Sequence, residues 1–257
     1  MTFTAAELIG LVGSYFWPFV RIAAVVMTSP VFGARTVPAR IKIVISLALT
    51  LVVVPIMPQF EHYEFMSVES LFITVQQVLI GVALGFTTQL VFSAVITGGQ
   101  TLAMQMGLGF SLMIDPQNGQ QAPVLSQFYV VFVLLVYLSL NGHLLLVQTL
   151  IDSFTLLPIS MHALTADSLW QIVSWGAEIF KGAIAIAIPA IASLLVVNLA
   201  FGIMTRSAPQ LNIFAVGFPL TIMMGFAVIL FTLSSVIPQT MRLFTEVNQL
   251  FRGFGLN

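Results

Sequence analysis

The feature that most constrains this chain is the length of its uncharged stretches. No charged residue occurs from Ser70 to Ile114, from Pro116 to Ile151, or from Ser207 to Met241. Only 7% of the 257 residues are charged and 59% are hydrophobic, whereas soluble domains carry about 25% charge. Such a chain cannot cover a water-facing surface. The pattern excludes a soluble globular enzyme, a disordered chain and a nucleic-acid binder, and it indicates an integral membrane protein.

Six segments are apolar and long enough to cross a bilayer, since roughly 20 residues span about 30 Å of hydrocarbon. We therefore expect an all-α membrane protein with a single membrane domain over residues 1–257. A segment at 104–121 fits neither a span nor a soluble loop, and a C-terminal tail is expected at 238–257. The six predicted helical segments lie at about 9–33, 41–58, 69–97, 124–151, 169–204 and 212–237.

Two stretches are too long for one upright crossing. The uncharged run from Ser70 to Ile114 would extend ~65 Å as a single helix, about twice the thickness of the membrane. The run from Ser168 to Thr205 is also too long, and Pro189 removes a backbone hydrogen bond within it. We expect long, broken helices arranged as hairpins that pack on other subunits within a helical hetero-oligomeric assembly.

The basic residues indicate an orientation. Arg35, Arg40 and Lys42 form a cluster after the first apolar segment, and basic loops favour the cytoplasmic side. This cluster predicts a cytoplasmic first loop and, with six spans, both termini outside. Arg242 and Arg252 in the tail argue against an outside C-terminus, so the orientation of the tail stays open.

No constellation for catalysis or for a cofactor is recognisable. The chain has no cysteine, which excludes disulfides and thiolate chemistry. His62, His143 and His162 lack the spacing of metal ligands on a helix. No phosphate-binding loop, dinucleotide fingerprint or hydrolase motif occurs. We expect neither an enzyme nor a bound cofactor or metal, and a net charge of −1 gives no sign of a nucleic-acid partner.

Charged residues also occur inside apolar segments. Arg21 is alone in the first segment, where a charge costs about 2.5–3.5 kcal/mol unless it faces protein or water. A snorkelling side chain, a structural pair with a backbone carbonyl and a subunit contact are all consistent with it. Glu178 and Lys181 are three residues apart and share one helix face. Their spacing favours a local ion pair over a proton relay.

The segment at 104–121 joins glycines to methionine and phenylalanine side chains and then forms a turn. Asn-Gly and Asp-Pro are strong turn signals, and methionine repacks easily. The pattern is consistent with an ordinary turn between helices and with a deformable plug in a channel. Without further information, the residue types favour the ordinary turn. The candidate plug residues are Met106, Gly107, Gly109, Phe110, Met113, Asp115, Pro116, Asn118 and Gly119.

A second polar interruption lies between the last two apolar segments. A break at Pro209 is expected to begin a new helix, and Pro219 is expected to kink that helix. Arg206, Gln210 and Asn212 supply polar side chains at the turn. These residues are candidates for subunit contacts, while a charged loop that anchors two spans is the simpler interpretation.

Five stretches of the chain resemble the FliR family of flagellar biosynthesis proteins, whose counterparts in virulence secretion systems are called SctT. The last stretch, RSAPQLNIF followed by GFP, is the most specific of them. The resemblance covers nearly the whole chain. The matching stretches are 30–33 with Arg35, Val37, Pro38 and Arg40; 106–108 running to 115–117; 124–127; 141–143; and 206–214 with 217–219.

The resemblance implies a core subunit of a type III protein export gate. FliR-like chains join FliP-type and FliQ-type subunits around a central channel, and an FlhB-type switch protein contacts that gate. In the family, the segment matching 104–121 projects into the channel as a plug. The implied substrates are unfolded flagellar proteins, and the implied location is the flagellar basal body in the bacterial inner membrane, in contact with lipid.

Three alternatives stay open at this point. A virulence secretion gate cannot be separated from a flagellar gate by physical arguments, although the overall likeness favours the flagellar one. A stand-alone transporter predicts an internal repeat and a polar site at the midplane, and neither is evident. A membrane-embedded enzyme would need clustered Asp, His, Ser or Glu in apolar segments, and such clusters are absent from the sequence.

Overall fold

The computed structural model describes residues 5–58, 60, 63, 67–108, 124–161, 164–207 and 217–253. Within these residues the chain forms eight α-helices and no β-strand. The prediction of an all-α fold is confirmed. The helices are α1 (Ala5–Thr28), α2 (Ala39–Val53), α3 (Val68–Gln105), α4 (Val124–Ser139), α5 (Gly142–Leu156), α6 (Ala166–Trp175), α7 (Glu178–Ser207) and α8 (Phe218–Gly253).

Several of these helices are long and apolar enough to cross a membrane. Among the described residues, three stretches meet that test, namely Val68–Gln105, Ala166–Ser207 and Phe218–Gly253. The bent pair α4 and α5 makes a fourth if it is counted as one span, and Val12–Thr28 is a shorter apolar helix. The chain is thus an all-α membrane protein, as its uncharged stretches predict.

Helix α3 continues past the polar glycine pair where the sequence suggests an interruption. It has 38 residues, which corresponds to ~57 Å of helix. A Cβ added at Gly98 would lie 3.2 Å from the carbonyl oxygen of Ala183, and one added at Gly99 would lie 3.1 Å from the Cα of Ser126. These glycines therefore bring other helices close to α3, and the predicted segment 69–97 ends too early.

The predicted segment 124–151 is two helices, because the chain turns at Asn141. This residue has a left-handed backbone conformation with φ 57°, which asparagine tolerates better than most residues. The Asn141 amide donates to the carbonyl of Leu138 over 3.1 Å and closes the turn. The Asn141 carbonyl then accepts from the amide of Leu144 over 2.9 Å, inside α5.

The predicted segment 169–204 is divided at Gly176 and not at Pro189. Helix α6 begins at a Thr165 cap, whose side-chain oxygen accepts from the Ser168 amide over 3.2 Å. Helix α7 then runs through Pro189 without a break, because a proline removes one bond and neighbouring groups can cover the freed carbonyl. Helix α8 likewise continues through Pro238, so most of the predicted tail is helical.

The chain divides into two compact units. The first comprises residues 1–90, 138–176 and 245–257. Trp17 on α1 is 1% exposed and lies in the core of this unit. Its indole Nε1 donates to Thr74 Oγ1 over 3.3 Å. The rings of Phe60 and Tyr63 meet Trp17 edge-on at 6.0 and 6.2 Å. This aromatic cluster joins α1 to the start of α3.

The second unit comprises residues 91–137 and 177–244. Its core contains three aromatic rings from α3, α4 and α8. The centroid of Phe92 lies 5.7 Å from that of Tyr137 and 5.8 Å from that of Phe244, and the last two are 4.8 Å apart. This trio fixes the three helices to one another within the unit.

Candidate functional site

The most unusual polar group of the first unit is the guanidinium of Arg21. Arg21 lies on the apolar helix α1 and is 0% exposed. Its Nε donates to Oε1 of Gln77 on α3 over 2.8 Å. Its Nη2 donates to the carbonyl of Leu157 over 2.8 Å, directly after the last residue of α5. One side chain therefore joins three helices.

A second pair of bonds holds the guanidinium to the end of α5. Nη1 donates to the Ser153 carbonyl over 2.8 Å and to the Ser153 hydroxyl over 3.2 Å. The last carbonyls of a helix lack partners within the helix and carry a partial negative charge. Arg21 thus caps the C-terminus of α5, and Phe154 covers the guanidinium with its ring centroid 4.3 Å from Cζ.

The two glycines of α3 nearest to this cluster let α1 approach closely. A Cβ added at Gly81 would overlap the Arg21 carbonyl and lie 2.6 Å from the Ala24 Cβ. A Cβ added at Gly85 would overlap the Thr28 hydroxyl and lie 2.9 Å from the Ser29 amide nitrogen. The pair is a G-x-x-x-G motif in an apolar helix, a pattern typical of close helix contacts in membranes.

The structure describes only the first part of the predicted plug segment. Met106 is 0% exposed, and its side chain occupies the space beside Gly225 of α8. Gly107 has φ +78° and lies against the ring of Phe218. Helix α3 therefore ends two residues before a position whose conformation suits glycine. The remaining plug candidates lie outside the described residues, namely Gly109, Phe110, Met113, Asp115, Pro116, Asn118 and Gly119.

The second polar interruption is also described in part. Arg206 is exposed in the last turn of α7. Pro219 is the second residue of α8 as described. Pro209, Gln210 and Asn212 lie outside the described residues, so the predicted break and kink stay predictions.

Glu178 and Lys181 form the local ion pair that their spacing predicts. The Lys181 Nζ donates to Oε1 of Glu178 within the first turns of α7. The lysine side chain is 70% exposed. Because exposed pairs of this kind contribute little to stability, we expect Lys181→Gln to change the free energy of unfolding by less than about 0.5 kcal/mol. Chemical denaturation of the purified chain in detergent would measure this, and a larger loss would indicate a further role for the pair.

Sequence reasoning finds Arg21 but misses its partners. Gln77 is a polar residue inside the apolar segment 69–97, and that position is a signal that could mark it, whereas Ser153 follows Asp152 at the end of its segment and carries no such signal. Gly81 and Gly85 carry a recognisable motif, and their spacing is the signal that predicts a close helix contact. Within the part of the chain that the structure describes, no three His, Cys, Asp or Glu side chains come close enough to hold a metal ion.

The fold and these sites define an all-α integral membrane protein in which the buried Arg21 joins three helices. A family model described as bacterial export proteins, family 1, matches residues 12–247. The chain therefore belongs to this family of bacterial export proteins, in agreement with the resemblance of its motifs.

Relatives over nearly the full length carry one name. The chain is 37% identical over 247 residues to the flagellar biosynthetic protein FliR of Escherichia coli strain K12, covering 96% of this chain and 94% of that protein. It is 38% identical over 250 residues to the protein of that name from Pectobacterium carotovorum, with 97% and 95% covered. The Bacillus subtilis protein of that name is 33% identical over 240 residues, with 90% of each covered.

Proposed function

We propose that the chain is a non-enzymatic core subunit of a flagellar type III protein export gate. In this function it forms a channel with FliP-type and FliQ-type subunits, and unfolded flagellar proteins pass through that channel. The observation that carries the proposal is the match over nearly the full length to proteins named for flagellar biosynthesis. The gate lies in the bacterial inner membrane within the flagellar basal body, where an FlhB-type switch protein contacts it.

The apolar surface of the second unit supports this proposal. Few residues in the most apolar parts of α7 and α8 are buried inside the chain. The buried share is 22% for the stretch Ala166–Ser207, which contains α7, and 17% for α8. Leu195, Ile203, Leu230 and Phe231 are between 55% and 85% exposed. A surface of this kind requires either lipid or apolar protein beside it. Neighbouring gate subunits provide that cover in the proposed assembly.

Co-purification tests the proposed assembly. A tagged chain expressed from its own chromosome should elute as a large complex that contains FliP-type and FliQ-type subunits, and a strain lacking the chain should assemble no flagellar filaments. Elution as a stable monomer that binds a small solute would instead indicate a stand-alone transporter. Loss of virulence-factor secretion with normal filaments would indicate a virulence gate.

We further propose that residues 104–121 close the channel before export begins. Met106 is buried directly after the end of α3, and Gly107 has a positive φ. The residues that follow therefore begin from a fixed position. Apolar constrictions exclude water and ions by dewetting. Glycine, methionine and phenylalanine suit a seal that must yield to an extended polypeptide.

Deletion of residues 110–117 should open this seal. Membranes that carry the whole gate with the shortened chain should show an increase in ion leakage of at least several-fold, because an apolar constriction has been removed. The matched control is a gate with Lys181→Gln, which alters an exposed ion pair. Normal assembly with unchanged conductance would contradict the plug and leave the subunit role standing.

A further inference from the structure

The polarity of α2 is the reverse of that of a helix on a water-soluble protein. Its two hydroxyl side chains, on Ser46 and Thr50, are each 1% exposed. They donate to the carbonyls of Lys42 and Ser46 over 2.8 and 2.7 Å, which satisfies them within the helix. The outer face is aliphatic, and its members are between 48% and 65% exposed: Ile41, Ile43, Val44, Leu47, Leu51 and Val52.

The composition of this outer face favours lipid over a protein partner. Helix interfaces in membranes are enriched in small and hydroxyl residues, which let two backbones approach each other. On α2 the hydroxyl residues face inward, and its small exposed side chains are Ala39 at the first position and Ala48. The 15 residues of α2 extend ~22 Å, which exceeds the ~15 Å hydrocarbon depth of one leaflet.

The chain places positive charge at one end of this aliphatic face. The Lys42 Nζ donates to the Gly33 carbonyl over 2.8 Å and ties the loop before α2 to its first turn. Arg35 in that loop and Arg40 in that turn are both exposed. No acidic residue occurs from Leu8 to Phe60, so neither α2, nor the loop before it, nor the part of α1 after Glu7 supplies a carboxylate to the two arginines.

We propose that the outer face of α2 binds anionic phospholipid of the surrounding bilayer. Arg35 and Arg40 contact the phosphate-bearing headgroup, and the aliphatic side chains from Ile41 to Val52 contact the acyl chains. Basic residues next to an apolar helix attract anionic headgroups in this way. The inference requires that the chain lies in a membrane, and it does not rest on the gate function proposed above.

Competition between two lipids tests whether Arg35 and Arg40 bind an anionic headgroup. The full chain, purified in detergent, is mixed with equal amounts of phosphatidylglycerol and phosphatidylcholine, and native mass spectrometry measures the ratio of the retained lipids. We expect an excess of phosphatidylglycerol that falls about tenfold in the double variant Arg35→Gln/Arg40→Gln, because each basic residue near an anionic headgroup contributes to the attraction.

Two matched variants separate local charge from total charge and from misfolding. Arg242→Gln/Arg252→Gln removes the same two positive charges from exposed positions on α8 and should leave the lipid ratio unchanged. Arg35→Lys/Arg40→Lys keeps the charge and should preserve most of the excess. An unchanged ratio in Arg35→Gln/Arg40→Gln, or an equal loss in Arg242→Gln/Arg252→Gln, would overturn the proposal.

Spin labels test the aliphatic face directly. The chain contains no cysteine, so Leu47→Cys provides a single labelling site on this face, and Val53→Cys, at a residue 1% exposed, provides a buried control. In bilayers, a label at position 47 should be accessible to oxygen and shielded from a polar nickel reagent, while the control label is shielded from both.

The same measurement in the complete complex identifies what covers this face. A label at position 47 that remains accessible to oxygen there supports lipid as the occupant. A label that becomes shielded from both reagents would show that a protein subunit covers the face, and the lipid proposal would then be wrong. Assembly of the complex is scored separately by co-purification, so failure of the gate and failure of the lipid site are distinguishable.

Discussion

Arg21→Met is expected to cost about 4 kcal/mol of stability, a large effect for a single substitution. Methionine fills much of the same volume but donates no hydrogen bond, so the Leu157 carbonyl and Oε1 of Gln77 lose Arg21 as their donor, while the Ser153 carbonyl keeps the Leu157 amide. Each buried acceptor left without a partner costs about 1–3 kcal/mol. The apparent melting temperature of the purified chain should fall by about 8–16 °C, as measured by tryptophan fluorescence in detergent.

Two variants show whether orphaned acceptors cause that loss. Arg21→Lys keeps the charge, but one ammonium cannot reproduce the planar fork that reaches both α3 and the end of α5, so we expect about half of the loss. Adding Gln77→Leu to Arg21→Met removes one orphaned acceptor and should restore about 1–2 kcal/mol. A melting temperature of Arg21→Met within 2 °C of the unchanged chain would contradict the assigned role of the guanidinium.

Gly81→Ala is expected to destabilise the first unit by about 2–3 kcal/mol through a single added methyl group. That group overlaps the Arg21 carbonyl and the Ala24 side chain, and backbone atoms yield less readily than a flexible side chain. The apparent melting temperature should therefore fall by about 4–12 °C, measured in the same fluorescence experiment.

Gly202→Ala is the matched control for this steric effect. No atom lies within 4 Å of a Cβ added at Gly202 among those that the structure describes. Since alanine favours helix over glycine by up to about 1 kcal/mol, this variant should be neutral or slightly more stable. Equal losses in both variants would show that the close approach of α1 to α3 is not the cause.

The sequence predicts the class of this fold because backbone polar groups in lipid must form their hydrogen bonds within the protein. A chain with no charge from Ser70 to Ile114 has few alternatives to apolar helices. Helix ends are predicted less well. The predicted segment 124–151 runs across the Asn141-Gly142 pair, a turn signal at which α5 begins, and the division at Gly176 lies two residues before Glu178, so average hydropathy hides both breaks.

The Arg21 cluster marks another limit of sequence reasoning. An isolated arginine in an apolar helix predicts that a partner exists, but the partners are backbone carbonyls, which every residue possesses. Residue types therefore do not identify Ser153 and Leu157. Gly81 and Gly85 are different, since their spacing is a readable signal for close helix packing.

The bonds of Arg21 also constrain how the protein is made. Its carbonyl partners lie 132 and 136 residues further along the chain, so the ribosome completes α1 long before α5 exists. An unpartnered arginine is disfavoured in the hydrocarbon. The newly made α1 therefore carries this cost until α5 emerges, and we expect a pause in translation between the two helices to raise the share of misinserted chains.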